Sequence, residues 1–452
     1  MESKQNILRR TRNGSKSVYH GLRALCLEQL KSPGNKENHF KTVRFLVAAG
    51  YLEDALAGLK RMAVIDSGSA EFLSRSVYVF EVLGDVAKAE KFQTALLKKF
   101  AHTAREPEMS RQVARLQLRR GAGDSAWRLF HHAAKLEGAT DPSIEQESSG
   151  ARKLRTRVVC GDDIATTVHH ARWFVPFAER FDAVFSVDER VLGVLARSFP
   201  DLRFSASDEE SDAIKVDLAS VPFLSGATSK PAKQWLFSDP ERTERWRLRL
   251  REHDPDRYFI GINWRSTLRG SYDFSPNSDQ ALADLRRSMS GSIIDYPHLW
   301  RKQVPIGAFR QLFADAELQA VSIQHGLGSI EADFIERTDT PLLLPNLDFF
   351  GDFEEVVSLI DALDGVISIP STHAHISAAL GKPVVILGYE RPSQYWSLMR
   401  HRRHYAAVAS TLKPTERLEG GRYLYGVYGD WGPTVDAAVE LLRGRLMKSS
   451  NA

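Results

Sequence analysis

The segment Asp361 to Tyr389, DALDGVISIPSTHAHISAALGKPVVILGY, constrains this chain most, because it sets a short helix between two apolar strands. Gly365-Val366-Ile367-Ser368-Ile369 and Val384-Val385-Ile386-Leu387 are near-continuous apolar runs, the pattern of strands covered on both faces in a parallel sheet. Ser371 and Thr372 open the helix and Gly381-Lys382-Pro383 close it, since Gly takes the left-handed conformation past a helix end and Pro cannot continue one. The first turn carries no carboxylate. Its unbonded backbone N–H groups and positive dipole end therefore face whatever lies beyond the strand ends, and a diphosphate suits such a place.

Composition limits what this site belongs to. A chain of 452 residues, 43% hydrophobic and 26% charged, buries substantial cores and divides into two or three domains. Net charge is only +4, from 61 Lys+Arg against 57 Asp+Glu spread along the chain, which argues against nucleic acid as the main partner. Cys26 and Cys160 are the only cysteines, too few for a disulfide framework or a thiolate metal site. No run approaches the roughly 20 apolar residues of a membrane span, and the N-terminal MESKQNILRRTRNGSKS has charge but no apolar centre of the signal-peptide kind. A cytoplasmic protein is expected.

The pattern divides into parts. After a basic segment, 1–37, residues 38–137 read as paired helices, with Gly50 and Gly84 spaced 34 apart and Gly84 and Gly121 spaced 37 apart; that period is the tetratricopeptide one. An unrelated bundle with Gly-capped helices is the plainer alternative. Residues 138–153, rich in Gly, Ser and Glu, read as a linker. Alternating strands and helices follow over 154–252, with a helix from Thr166 to Arg180 and a charged one from Asp239 to Glu252. A second alternating unit covers 257–425, starting at strand Tyr258 to Trp264, with a helix from Ile306 to Glu317. It is interrupted by a polar, Arg- and Ser-rich insertion, 266–303, of a length usual for an active-site loop. A helix is expected over 426–448. The fold class is α/β: two doubly wound parallel sheets with a cleft between their carboxyl edges, preceded by an all-α domain.

Gly261-Ile262-Asn263-Trp264, Pro305-Ile306-Gly307-Ala308-Phe309, Val321-Ser322-Ile323-Gln324, Asp361 to Ser368, His375 followed by Ala378-Ala379-Leu380-Gly381-Lys382-Pro383, and Gly429-Asp430-Trp431 come in the order of a known family. Over roughly 155–445 the chain resembles the heptosyltransferase-type glycosyltransferases, family nine, in the form carrying tetratricopeptide repeats. The resemblance implies a GT-B fold, two Rossmann-like halves with the donor held mainly by the C-terminal one. It implies metal-independent, inverting sugar transfer from a nucleotide-sugar to a hydroxyl, with no cofactor. The helical repeats make a protein or peptide acceptor natural, and oligomer formation stays open.

That chemistry needs an anion site for the leaving diphosphate and a base beside the acceptor. Ser371 and Thr372 match the family's phosphate-binding turn, although Ser at a helix start is also an ordinary cap. His375 matches the family's His one turn in, although a lone His on an apolar helix is more often core. His373 and His375 stand about 200° apart around a helix and so cannot chelate one metal. Arg265 follows the strand where the family places groups beside the donor phosphates, and a guanidinium suits that contact. Gln324 and His325 end the next strand and could meet the nucleotide base, with Gly326-Leu327-Gly328 admitting close approach. Glu390, Arg391 and Gln394 could hold sugar hydroxyls, or form a surface turn.

The base is less direct. In Cys160-Gly161-Asp162-Asp163-Ile164-Ala165-Thr166, counting from the turn gives Asp162 or Asp163 the family's catalytic position, and counting back from Ala171-Arg172-Trp173 gives it to Thr166. A Thr cannot accept a proton at neutral pH. Asp163 is the expected base and His169 its substitute; an Asp here is also an ordinary helix cap. Pro370 stands where the family has Asp. Two further readings follow: a catalytically degenerate scaffold that binds a partner through its repeats, and a lipopolysaccharide heptosyltransferase with a membrane patch drawn from Phe223, Leu224 and Trp235.

Overall fold

The structure, a computed structural model, describes residues 34–48, 52–82, 86–100, 107–119, 122–149, 153–206, 213–226, 234–265, 304–327, 329–387, 409–412 and 431–450, with residues 27 and 31. The described residues up to 149 are all-α. Successive helices pack in pairs: α1 Lys36–Ala48 on α2 Leu52–Asp66, α3 Ala70–Val82 on α4 Val86–Phe100, and α5 Pro107–Arg119 on α6 Gly123–Leu136. Apolar residues at helical spacing, such as Ala55, Leu59 and Met62 on α2, are buried in these pairs. Gly50, Gly84 and Gly121, which carry the repeat spacing, lie outside the described residues. The polar stretch read as a linker holds α7 Pro142–Ser149. Asp141 caps it, accepting from Ser143 N at 3.0 Å, and also meets His131 Nε2 at 3.1 Å, so the polar composition encodes a capped helix with Pro at its first position.

The N-terminal α/β half runs β1 Arg155–Val159, α8 Ile164–His170, α9 Phe174–Arg180, β2 Asp182–Ser186, α10 Glu189–Ser198, β3 Arg203–Ser205, β4 Ile214–Asp217 and α11 Val221–Leu224. The helix expected over Thr166 to Arg180 is thus two, joined by a 3-10 turn at Ala171–Trp173. Pro176 explains the break, because it has no N–H to return to Arg172 and is tolerated only in a first turn. After α12 Pro240–His253 the C-terminal half runs β5 Tyr258–Asn263, α13 Arg310–Phe313, β6 Leu318–Ser322, α14 Ser329–Thr338, β7 Leu342–Leu343, α15 Phe353–Ala362, β8 Gly365–Ser368, α16 Thr372–Ala379, β9 Val384–Leu387, β10 Ala409–Leu412 and α17 Gly432–Ser450. The helix expected from Ile306 to Glu317 is only a 3-10 turn followed by α13. Residues 266–303 and Gly429-Asp430 lie outside the described residues.

Both sheets are parallel, in the orders β3-β2-β1-β4 and β10-β9-β8-β5-β6-β7. Each order reverses direction once, beside β1 in the first half and beside β5 in the second. Ligands of doubly wound sheets bind outside the carboxyl ends at such a reversal. Along β9, Val384 and Ile386 enter the core shared with the N-terminal half while Val385 and Leu387 pack under α17, which is why the strand is apolar at every position.

The halves are tightly joined, as a GT-B-like pair. α10 lies on α15, with Arg197 bound to Glu354 at 2.7 Å and Gly193 leaving room for that carboxylate. Although α12 precedes β5 and reads as part of the first half, it packs on α15 of the second: Trp246 Nε1 donates to Glu355 Oε2 at 2.7 Å and Arg242 Nη1 to Glu355 Oε1 at 3.0 Å. The helical domain docks through α6, whose Trp127 ring meets Trp173 at 5.2 Å and His170 at 5.5 Å.

Candidate active site

The two carboxyl edges meet at α8 and α16, the helices that follow β1 and β8. Ser371 holds an extended backbone and its hydroxyl accepts from Ala374 N at 3.2 Å and contacts Ser368 Oγ at 3.0 Å. Its hydroxyl is therefore spent as a cap. Thr372 and His373 then present backbone N–H groups, and Thr372 its hydroxyl, with no acceptor among the described residues. At the other end Gly381 takes φ +74, and its amide bonds Ala378 O at 3.2 Å, the ending expected of Gly past a helix.

Arg265 does not stand free for a phosphate. Its Nε and Nη2 donate to the two oxygens of Glu331 on α14, at 2.7 and 3.1 Å, and Nη2 also reaches Gly326 O at 3.2 Å. Glu331 Oε1 accepts from Trp264 Nε1 as well, at 2.7 Å. The fork geometry of guanidinium and carboxylate favours that pairing, and Glu331, which sequence reasoning missed, is separated from Arg265 by a whole strand and helix. Gln324 is buried, and its Oε1 accepts from Asn263 Nδ2 at 3.2 Å, Trp264 N at 3.3 Å and Arg265 N at 3.0 Å. It ties the end of β6 to the end of β5, instead of offering its amide to a base. Glu390, Arg391 and Gln394 lie outside the described residues.

His325 stays half-buried at the edge, its ring 5.6 Å from the exposed Phe350. Arg190 of α10 crosses from the other half to lie 4.4 Å over the same Phe350 ring while forked onto Asp188, and the Asp162 charge reaches it. Asp162 and Asp163 are exposed beside Gly161, whose φ of +66 makes the sharp turn after β1. Asp163 caps α8: its carboxylate accepts from Thr166 N at 3.2 Å and Thr166 Oγ1 at 2.6 Å. Thr166 and Asp163, the competing positions in the sequence, are thus hydrogen-bonded neighbours.

His169 and His375 do not line an open cleft. Both are buried, with rings 5.6 Å apart, and Arg172 Nη2 donates to His169 Nε2 at 2.8 Å while its guanidinium covers Trp173 at 3.8 Å. A His169 nitrogen that accepts from a guanidinium is not available to an acceptor hydroxyl. Burial, then the charges of Arg172, His170 and His375, hold its pKa well below the ordinary value. Trp235 closes the seam, donating from Nε1 to Val168 O at 2.9 Å and from its backbone to Ala379 O at 2.9 Å.

Burial also pushes His170 down to about 3 and His373 to about 4, the latter helped by the charge of His325. These groups stay neutral in the folded protein but take up protons in the unfolded chain once pH falls through about 6.5. Stability is then fully present above that pH and is lost below it, by about 1.4 kcal/mol per pH unit per group, or about 2 kcal/mol each at pH 5. Urea unfolding at pH 7.5 and pH 5 is expected to show this loss, and His170→Gln to reduce the pH slope; equal midpoints at the two pH values would contradict it.

No protein-family profile matches the sequence, and no curated protein sequence does. Solved structures are similar to it. A glycosyl transferase family 9 protein from Veillonella parvula aligns over 66% of this chain and 98% of its own, at 11% identity and a TM-score of 0.43. The E. coli ADP-heptose LPS heptosyltransferase II aligns over 66% of this chain and all 100% of its own, at 12% identity and TM-score 0.39. An O-GlcNAc transferase of Thermobaculum terrenum covers 99% of this chain and 92% of its own, at 12% identity and TM-score 0.30. At such identities and scores the likeness says nothing of donor, acceptor or catalytic residues.

Proposed function

We propose that this protein is a glycosyltransferase that moves a sugar from a nucleotide-sugar to a hydroxyl, with inversion and without a metal, the hydroxyl being on a protein or peptide brought by the helical domain. One observation carries the reading: the N-terminus of α16, with the Thr372 and His373 N–H groups and no carboxylate in its first turn, sits at the reversal of one sheet, and α16 packs on α8, the helix that follows β1 at the reversal of the other. Backbone N–H groups there suit the growing charge of a leaving diphosphate, and cost no reorganisation when it departs. Asp163, exposed across the seam, is the group to take the acceptor proton.

The membrane-patch reading loses two of its three residues: Leu224 and Trp235 are 2% and 5% exposed, while Phe223, 37% exposed, stacks on His131 at 5.0 Å. The scaffold reading is supported by the commitment of Arg265 to Glu331 and of His169 to Arg172. A thermal-shift panel of nucleotide-sugars separates it from transfer. A bound donor at a hundred times its Kd adds about 2.7 kcal/mol and is expected to raise the melting point of a chain this size by about 3–4 °C, whereas no shift with any donor leaves the scaffold.

A further inference from the structure

The helix that carries Asp163 at its start is only 7 residues long, Ile164 to His170, and side chains hold both of its ends. At the start, Thr166 donates from N and from Oγ1 to the two oxygens of Asp163, at 3.2 and 2.6 Å, while the Thr167 hydroxyl donates to Asp163 O at 3.2 Å. At the end, His170 turns back on the same segment and its Nδ1 bonds Thr166 O at 2.8 Å. A carbonyl only accepts, so Nδ1 carries the proton; the ring is fully buried, and burial keeps it neutral. What covers that ring comes from the helical domain. Trp127 of α6, itself buried, meets His170 edge-on at 5.5 Å and Trp173 at 5.2 Å, and α6 also packs on the 3-10 turn Leu218–Ser220 and on α11. Ala126, Trp127 and Phe130 share one apolar core with Val168 and Trp173. A Leu or Phe at position 170 would fill the same space without a polar ring to desolvate. What the imidazole adds is a donor aimed at the Thr166 peptide.

We infer that Trp127, His170 and Thr166 are positioning residues for the base, so that the helical domain, through them, sets the direction of the Asp163 carboxylate; this rests on the glycosyltransferase reading above. The contacts run without a gap. Trp127 fixes the plane of the His170 ring, the ring fixes the Thr166 peptide, and Thr166 fixes both carboxylate oxygens. An Asp held by one backbone bond still turns about its side-chain torsions, and the second bond, from Thr166 Oγ1, removes that freedom. Each oxygen keeps a further lone pair, on a side chain that is exposed, for the proton of the acceptor. Misplacing a reacting group by about 1 Å costs about 10²-fold in rate, and the donor, held by the other half, does not feel it. Contact alone does not show coupling, which is measured by combining substitutions along the chain of contacts.

Turnover of UDP-glucose, ADP-glucose and GDP-mannose by the full chain, with water as the acceptor and released nucleoside diphosphate as the signal, tests this beside melting curves. Thr166→Val and His170→Gln are expected to lower kcat by about ten- to a hundredfold while KM for the donor stays within about threefold. Conservative changes should recover most of the rate: Thr166→Ser keeps the hydroxyl, and His170→Asn places an amide N–H where Nδ1 stood. Trp127→Leu, which keeps an apolar filling, should lose about tenfold in kcat. Added to Thr166→Val it should cost little more, because residues that act as a unit are not additive. Where Trp127→Leu melts below the assay temperature, His170→Gln with Thr166→Val gives the same cycle. Losses that multiply, equal losses in Thr166→Ser and Thr166→Val, or an unchanged kcat in His170→Gln or in Asp163→Asn overturn the inference and leave the proposed function standing. No diphosphate released from any of the three donors by the unsubstituted chain removes both.

Discussion

Replacing Asp163 by Asn is expected to lower sugar transfer by about 10²–10⁴-fold, the usual contribution of a general base, while leaving the melting temperature nearly unchanged. The separation is possible because Asp163 has two roles. Its carboxylate caps α8 by accepting from Thr166 N and Thr166 Oγ1, and Asn is as good a cap as Asp. Asn cannot take a proton. Asp163→Ala should lose the rate and about 1 kcal/mol of stability together. Initial rates with a donor identified by thermal shift, measured beside melting curves, decide the matter. Full activity in Asp163→Asn with a dead Asp162→Asn moves the base one residue back; full activity in both removes it from this turn.

Trp235→Ala is expected to be the most destabilising single change at the seam, costing about 3–5 kcal/mol. The side chain is 5% exposed and links the helices that carry His169 and His375, one through Val168 O and the other through its own backbone bond to Ala379 O. Trp235→Phe keeps most of the apolar contact but leaves Val168 O without its donor, for about 1–3 kcal/mol. Because α8 and α16 also begin at the two turns of the site, the Phe variant should lose transfer rate even where it is fully folded. Chemical unfolding together with rates at a temperature well below melting would show it. A Phe variant of unchanged rate means that the turns are held by other contacts, such as those of α10 and α12 with α15.

The elements that were legible in the sequence share one cause. β8, α16 and β9 could be located within a residue or so because a strand apolar at every position, a Ser cap and a Gly-Lys-Pro stop are each local signals. The helix after β1 was harder, since Pro176 breaks the apolar pattern without erasing it. The Ile306 segment was over-read as a full helix, although a short 3-10 turn and α13 suffice to cover the edge of β6. Sequence spacing also set the polar residues 138–153 apart as a linker, where Asp141 and Pro142 in fact start a helix.

The amino-acid order alone determined that two parallel sheets with carboxyl edges would follow a helical domain, and that one helix start near Ser371 would be free of acid, because those outcomes depend on periodicity and caps over a few residues. Which side chains remain available at that edge was decided only by the fold. Arg265 is taken by Glu331, His169 by Arg172, and Gln324 by the end of β5, partners that come from other elements or other turns. A charged or polar group bonds the best-placed partner in space, and distance along the chain does not encode that placement.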